Sequence, residues 1–248
     1  TSRFPFPLNK GDKLRAYNQI KSLSQTAEIH LISFSDQEPL KNEQEELLKY
    51  CTSINNYRFS KLRRFLGLIQ SIFMGLPYSV GYFYNRKVKR KVSDIISKIN
   101  PDSIHAHLIR TAEYVPHHLE CNTSIDFMDC FSMGAFKEKN STKNILKKIF
   151  LSSEYKRLKK YENKAYSLFD TYCVISEMDK NNMPFFNSKP IKIIPNGVDF
   201  DVFHPVDSKK EYDLVFSGHM GYIPNIVAAK YAITQIHPRL KDKSLLIA

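Results

Sequence analysis

The sequence predicts an α/β protein built from two Rossmann-like, doubly wound parallel-sheet domains, of which the second is only partly present. Short apolar runs alternate with longer polar or amphipathic runs, the order typical of strands and helices in a parallel sheet. The predicted strand at residues 191–194 stops at Pro195, and a new strand follows at residues 212–217. One sheet ends where another begins, so we predict domains at residues 1–205 and 206–248.

A tight bend is predicted between these two sheets, at Pro195-Asn196-Gly197. Proline has no backbone N–H and cannot continue a strand ladder. Asparagine and glycine tolerate the positive φ that a tight turn needs. The pattern predicts a hinge with a cleft between the two domains.

The other elements follow from the period of the apolar residues. Predicted strands lie at residues 28–35, 54–59, 103–108, 123–130, 171–176 and 244–248. Predicted helices lie at residues 13–24, 40–50, 62–76, 141–168 and 223–240, with further helices starting at residues 86 and 110. Asp12, Ser141 and Ser176 precede helices and are predicted N-caps.

The junction at Gly11 and Asp12 admits two interpretations. A loop that leads into a helix presents free N–H groups and the positive end of the helix dipole, which suits a phosphate or a sugar hydroxyl. An ordinary capped helix start explains the same residues, and the residues alone favour it.

Composition indicates a globular protein with an anionic partner. The 248 residues are 42% hydrophobic and carry a net charge of +12, which suggests nucleotide phosphate, membrane headgroups or nucleic acid. The four cysteines show no metal-binding spacing and suggest reduced thiols in the cytoplasm. No apolar run approaches the ~18 residues of a membrane span.

The predicted helix at 62–76 carries apolar residues three and four apart, and basic residues flank it. One explanation is a patch that faces anionic lipid or a lipid-linked acceptor. The other is a helix packed on a sheet with a basic outer face, and we favour it for the apolar stripe.

Histidines and an aspartate mark the carboxyl ends of two predicted strands, where open α/β sheets bind ligands. His105 and His107 are two apart, so both point to one face of their strand. Imidazole there can orient or protonate a sugar hydroxyl, or be a satisfied core group; a zinc pair lacks a third ligand, so no metal is expected. Asp129 ends the next strand and can bind a sugar hydroxyl or Arg110, or make a structural hydrogen bond. His117-His118 are predicted to lie on the surface.

Three stretches resemble glycosyltransferase family 4. The string Ile194-Pro195-Asn196-Gly197-Val198-Asp199, followed by Phe203 and Pro205, is similar to the interdomain signature of that family. Residues 2–15 resemble the first loop of one bacterial subgroup, and residues 216–225 resemble the start of its second domain. The three stretches occur in the family's order and span nearly the whole chain.

The resemblance implies a GT-B fold and a retaining transfer of sugar from a nucleotide sugar to a glycan or lipid-linked acceptor, in bacterial surface polysaccharide biosynthesis. It implies no metal and no other cofactor, and it places His107 near the transferred sugar as the catalytic candidate. The residues it suggests for substrate binding are Gly11, Asp12, Arg15, His105, Asp129, Ser176, Asn196, Gly197 and Gly218.

The resemblance also suggests a fragment that lacks the first strand and most of the second domain, and that is inactive alone. Where many members have an arginine after the strand that Gly218 follows, this chain has His219 and Met220. The expected location is cytoplasmic, with peripheral contact to the inner face of the plasma membrane through the basic helices.

Two rival functions remain. A GT-B sugar-nucleotide epimerase would release nucleotide and altered sugar without an acceptor. A basic α/β module would bind membrane or nucleic acid without any sugar nucleotide. Nucleic acid is not expected, because the aromatic residues do not interleave with the basic clusters as stacking platforms would.

Overall fold

The computed structural model describes residues 1–116, 120–183, 190–240 and 242–248. The chain divides into two compact units, Thr1–Asn196 and Gly197–Ala248. The predicted boundary after residue 205 therefore lies inside the second unit. The predicted surface pair His117-His118 lies outside the described residues.

The first unit is an α/β structure with two parallel sheets. Strands β1 (His30–Ser35) and β2 (Ser53–Arg58) form one sheet. The other has four strands in the order β3-β4-β5-β6, which are Ser103–His107, Asn122–Met128, Thr171–Val174 and Ile191–Ile193. The helices of the first unit are α1 Gly11–Leu23, α2 Lys41–Leu48, α3 Lys61–Met74, α4 Tyr78–Gly81, α5 Arg86–Ile99, α6 Phe131–Ser141, α7 Ile145–Leu168 and α8 Glu177–Asn182, with a 3-10 turn at Ile109–Tyr114.

Strand β1 is covered on both faces, as in a doubly wound sheet. Leu31 packs with Tyr17 of α1 and Leu47 of α2. Phe34, on the opposite face, packs with Val92 of α5. Successive strand residues alternate between faces, so one strand contributes to two cores. This arrangement confirms the predicted Rossmann-like α/β class.

The main core lies on the four-stranded sheet. Ile125 of β4 and Tyr172 of β5 are fully buried there, with Ala165 from α7 and Phe169 just after it. Each of these strands pairs with a neighbour on both sides, and most of its residues are buried, as is typical of central strands in a parallel sheet.

A cavity of about 240 Å³ separates the two sheets of the first unit. Strand β1 pairs only with β2, and β3 only with β4, among the described residues. The facing sides of β1 and β3 line the cavity through the consecutive residues 28–32 and 103–107. Ile20, Val92 and Ile96 complete an apolar wall.

Two predicted helix starts are wrong. Helix α1 begins at Gly11 with Lys10 as its uncapped N-cap residue, so Asp12 lies in the first turn. The long helix begins at Ile145, because Asn144 Oδ1 accepts the N–H of Lys147 at 3.1 Å. Ser141 instead ends the preceding helix, α6. The predicted cap at Ser176 is confirmed, since its Oγ accepts the N–H of Asp179 at 3.1 Å.

Helix α3 does not bury its apolar stripe. Its inner face consists of Arg64, Gly67 and Ser71, and a side chain on Gly67 would overlap the carbonyl oxygen of Gly81 in α4. The apolar side chains point outward and are exposed, namely Leu62, Phe65, Leu66, Ile69, Ile72 and Phe73. The favoured explanation of the stripe, packing against a sheet, is therefore wrong.

The second unit contains one parallel strand pair. Strands β7 (Leu214–Phe216) and β8 (Leu245–Ile247) are paired in parallel, and α9 (Ile223–Tyr231) lies between them in sequence. The predicted helix to residue 240 is regular only to Tyr231, after which π and 3-10 turns follow. Asp213 holds the start of both strands together through the N–H and Oγ of Ser244, each at 2.8 Å.

None of the helices in the described part of the chain combines the length and the hydropathy that a membrane span requires. All four cysteines are free thiols.

Candidate functional site

The candidate site lies where strands β3 and β4 end. The two strands are parallel neighbours, and His107 and Asp126 are partners across the ladder. The carboxyl ends of parallel strands meet at one edge of a sheet, which is where α/β proteins place ligands. Helix α1 and the segment after β6 reach the same edge through Arg15.

Asp126 is the centre of a buried polar network. Its Oδ2 accepts hydrogen bonds from Arg15 Nε at 2.6 Å and Gln19 Nε2 at 2.9 Å, and its Oδ1 accepts the N–H of Met128 at 2.9 Å. Burial alone would raise the pKa of this carboxyl, but the hydrogen bonds from Arg15 and Gln19 outweigh burial and lower it. Asp126 is therefore an ionised carboxylate inside the protein.

Arg15 joins this carboxylate to Pro195 and Asn196, although neither Asn196 nor Gly197 has the positive φ predicted for a tight turn there. Its Nη1 donates to Asn196 Oδ1 at 3.0 Å and to the carbonyl oxygen of Pro195 at 3.4 Å. Its buried Nη2 has no hydrogen-bond partner among the described residues. The structure thus brings together two predicted site residues, Arg15 and Asn196, which contact each other directly, and it adds Asp126 as a partner of Arg15 that sequence inspection did not select. A signal was present, since a carboxylate inside an apolar strand such as Asp126 requires a cationic partner.

His107 is buried beside this network. It is 3% exposed and lines the cavity between β1 and β3, and its Nε2 lacks a partner in the described part of the chain. Burial lowers the pKa of His107 to about 3, so the imidazole is neutral at neutral pH. A neutral imidazole can orient a hydroxyl through a hydrogen bond, but it cannot act as a general acid in the way that a protonated imidazolium does.

His105 lines the same cavity as His107, as the two-residue spacing predicts. Its Nδ1 lies 2.8 Å from Ser124 Oγ on the neighbouring strand. This contact fixes the ring orientation and leaves Nε2 for another partner.

Asp129 follows β4 and is exposed. The pKa of its carboxyl is raised, first by desolvation and then by the carboxylates of Asp179 and Asp126. The alternative of a pair with Arg110 is wrong, because that guanidinium lies over the rings of Phe83 and Phe131 instead. Asp129 is thus the accessible carboxylate at this edge.

The remaining predicted site residues of the first unit have local roles. Gly11 begins α1 and has open space beside it, so no neighbour requires a glycine there. Asp12 forms an ion pair with Arg3. The hydroxyl of Ser176 is engaged in capping α8.

Gly197 and Gly218 belong to the second unit. Gly197 is exposed, and the space that a side chain would occupy there is open. The N–H of Gly218 donates to the carbonyl oxygen of Ala248 at 3.0 Å, so it is engaged in the strand ladder and not free for a phosphate. A Cβ on Gly218 would lie 2.9 Å from the amide nitrogen of Asn225, which explains the small residue.

Within the described residues, no group of three histidine, cysteine, aspartate or glutamate side chains could hold a metal ion. Comparisons with protein-family models and with curated proteins find no match. The functional assignment therefore depends on the residues of this chain.

Proposed function

We propose that this chain is part of a retaining GT-B glycosyltransferase of the family 4 type. It transfers a sugar from a nucleotide sugar to a glycan or lipid-linked acceptor during bacterial surface polysaccharide biosynthesis. The observation that supports this best is the network of Asp126, Arg15 and Asn196. Arg15 lies in residues 2–15 and Asn196 in residues 194–199, two of the three stretches that resemble the family. Their hydrogen bonds connect both stretches to the carboxyl end of β4, an edge where α/β sheets bind ligands.

The chemistry of transfer suits the groups at this edge. Breaking an anomeric C–O bond passes through an oxocarbenium-like state while the leaving diphosphate gains negative charge. Preorganised N–H donors and cations stabilise that charge, and Arg15 Nη2 is a buried donor without a partner among the described residues. In this proposal the exposed carboxylate of Asp129 accepts a hydrogen bond from a hydroxyl of the sugar or the acceptor. In this proposal His107 orients a hydroxyl as a neutral imidazole.

The proposal also includes contact with an anionic membrane, where a lipid-linked acceptor would be located. The exposed fractions of Phe65 and Phe73 on α3 are 57% and 85%, and Lys61 and Arg63 lie at the start of the same helix. An apolar helix face with flanking basic residues favours the surface of an anionic bilayer. We place the protein at the inner face of the plasma membrane as a peripheral protein.

Calorimetric titration of the full-length protein with UDP-, GDP- and ADP-sugars tests the proposal. We expect one nucleotide class to bind, and Arg15→Met to weaken that binding, while Arg90→Gln on the exposed face of α5 leaves it unchanged. If no nucleotide sugar binds, the proposal fails. Release of free nucleotide with an epimerised sugar and no acceptor product would identify the epimerase instead.

A further inference from the structure

A second cavity of the first unit, of about 390 Å³, has none of the residues of the Asp126 network in its wall. It has four cationic and two acidic side chains in its wall, together with aromatic rings. The charged residues are Arg3, Lys10, Arg64, Arg110, Asp36 and Glu154. Since four positive charges face two negative ones, the cavity carries an excess of positive charge.

Both carboxylates of this wall are already engaged. Glu154 accepts the backbone N–H of Tyr78 at 2.7 Å and that of Ser79 at 2.9 Å, one with each oxygen. Asp36 forms an ion pair with Arg64. Neither carboxylate forms an ion pair with Arg110.

Arg110 is a cation without a counterion among the described residues. Its guanidinium carbon lies 5.2 Å from the ring centre of Phe83 and 5.1 Å from that of Phe131. Its buried Nε has no hydrogen-bond partner in the described residues. Burial, followed by the charge of Arg3, lowers the pKa of Arg110 to about 10, so the group stays charged at neutral pH.

A second unpartnered group lies in the same wall. The buried Oγ of Ser79 has no hydrogen-bond partner among the residues that the structure describes, and Ser79 lines the cavity. Buried polar atoms are normally hydrogen-bonded. The Nε of Arg110 and the hydroxyl of Ser79, neither of which has a hydrogen-bond partner in the described part of the chain, indicate a ligand with acceptor oxygens.

We propose that this cavity binds a phosphate group of a phosphate ester, with Arg110 and Ser79 as donors. Arginine matches phosphate geometry with paired N–H groups. The organic part of the ester contacts the ring of Phe150, which stacks on Tyr78 at 4.7 Å between ring centres and lines the cavity.

The ester has two sources with the same chemistry, a soluble phosphate ester or a lipid headgroup. Phe150 is half-exposed at the start of α7, and Leu68 of α3 lines the same cavity. The lipid source rests on the proposed function and its membrane contact, whereas the soluble source does not.

Binding of sn-glycerol 3-phosphate to the full chain, measured by calorimetry in chloride buffer at neutral pH, tests the soluble source. We expect Arg110→Gln to weaken binding by about tenfold, the loss of one charge-assisted hydrogen bond, and Ser79→Ala to weaken it less. Arg90→Gln removes the same charge from an exposed position outside the cavity and is expected to bind normally. Thermal unfolding of each variant verifies that it folds.

Sedimentation with phosphatidylcholine vesicles, with and without phosphatidylglycerol, tests the lipid source. If the source is lipid, Arg110→Gln lowers binding to the anionic vesicles by more than Arg90→Gln does, even where glycerol phosphate binds weakly. The proposal is overturned if Arg110→Gln and Arg90→Gln behave alike in both assays. Titration with nucleotide sugars is a separate readout, so failure here leaves the proposed transferase function intact, and the reverse also holds.

Discussion

The buried pair of Arg15 and Asp126 offers a direct test of how the first unit is held together. The Asp126→Asn substitution keeps the shape of the side chain but leaves Arg15 as a buried cation without its carboxylate. Breaking a buried ion pair from one side costs about 3–5 kcal/mol. Arg15→Met is expected to cost less, about 2–3 kcal/mol, because Asp126 keeps its hydrogen bonds from Gln19 and Met128.

The double variant isolates the interaction energy between Arg15 and Asp126 from the contacts that each makes with other residues. If the two side chains interact, the double variant is less destabilised than the sum of the single variants, by about 1–3 kcal/mol. Urea unfolding of the four proteins measures this coupling energy. The native pKa of Asp126 is lowered, so its contribution is present above the unfolded pKa of about 4 and is lost as pH falls. A coupling energy near zero at neutral pH would refute the buried pair.

Three further predictions concern single side chains. Burial raises the pKa of Glu162 to about 7, so its contribution to stability is present below the unfolded pKa and is lost as pH rises to 7, by up to about 3 kcal/mol. Urea unfolding at pH 5 and pH 8 should show this slope in the wild type and not in Glu162→Gln; equal slopes would contradict it. Gly67→Ala should destabilise the protein by about 1–3 kcal/mol, because the added Cβ overlaps the carbonyl of Gly81. Gly134→Ala, in open space on α6, should be neutral or stabilising. Thermal unfolding compares the two variants, and equal effects would count against the close contact between α3 and α4. His107→Ala should fold normally and lose sugar transfer in a product assay with the full-length enzyme; unchanged turnover would remove His107 from the site.

The strands and most helices could be predicted because their signals are local. An apolar run bounded by turn residues fixes a strand such as β4, and the period of the apolar residues fixes a helix such as α3. Capping was less predictable, since serine and asparagine are both good caps, and the structure uses Asn144, not Ser141, to begin α7.

The same local signals could not tell which face of a helix is buried. The stripe on α3 has the spacing of a core-facing helix, yet the small face of Gly67 and Ser71 packs inward because α4 approaches closely. The sequence shows the apolar stripe of α3, but it does not show which face of the helix packs against α4.

The polar networks depend on residues far apart in sequence. Arg15 and Asp126 are 111 positions apart, and the cavity that contains Arg110 also draws on Arg3 and Arg64. Sequence inspection placed Arg15 and Asn196 in the site through a resemblance. It favoured Asp129 over Asp126, because the strand end is visible in the sequence whereas a buried ion pair is not.

Because of the gap between β1 and β3, no strand pair joins the two sheets among the described residues of the first unit. Each facing edge carries a row of peptide N–H and C=O groups that no strand among the described residues pairs. An extended polypeptide that displaced the amino group of Thr1 from the carbonyl oxygen of Ile32 could bond to both rows at once and merge six strands and itself into a single continuous layer. Without such a bridge, rows of this kind tend to recruit strands from other molecules. We therefore expect any self-association of the chain through these edges to depend on whether a strand fills the gap between β1 and β3.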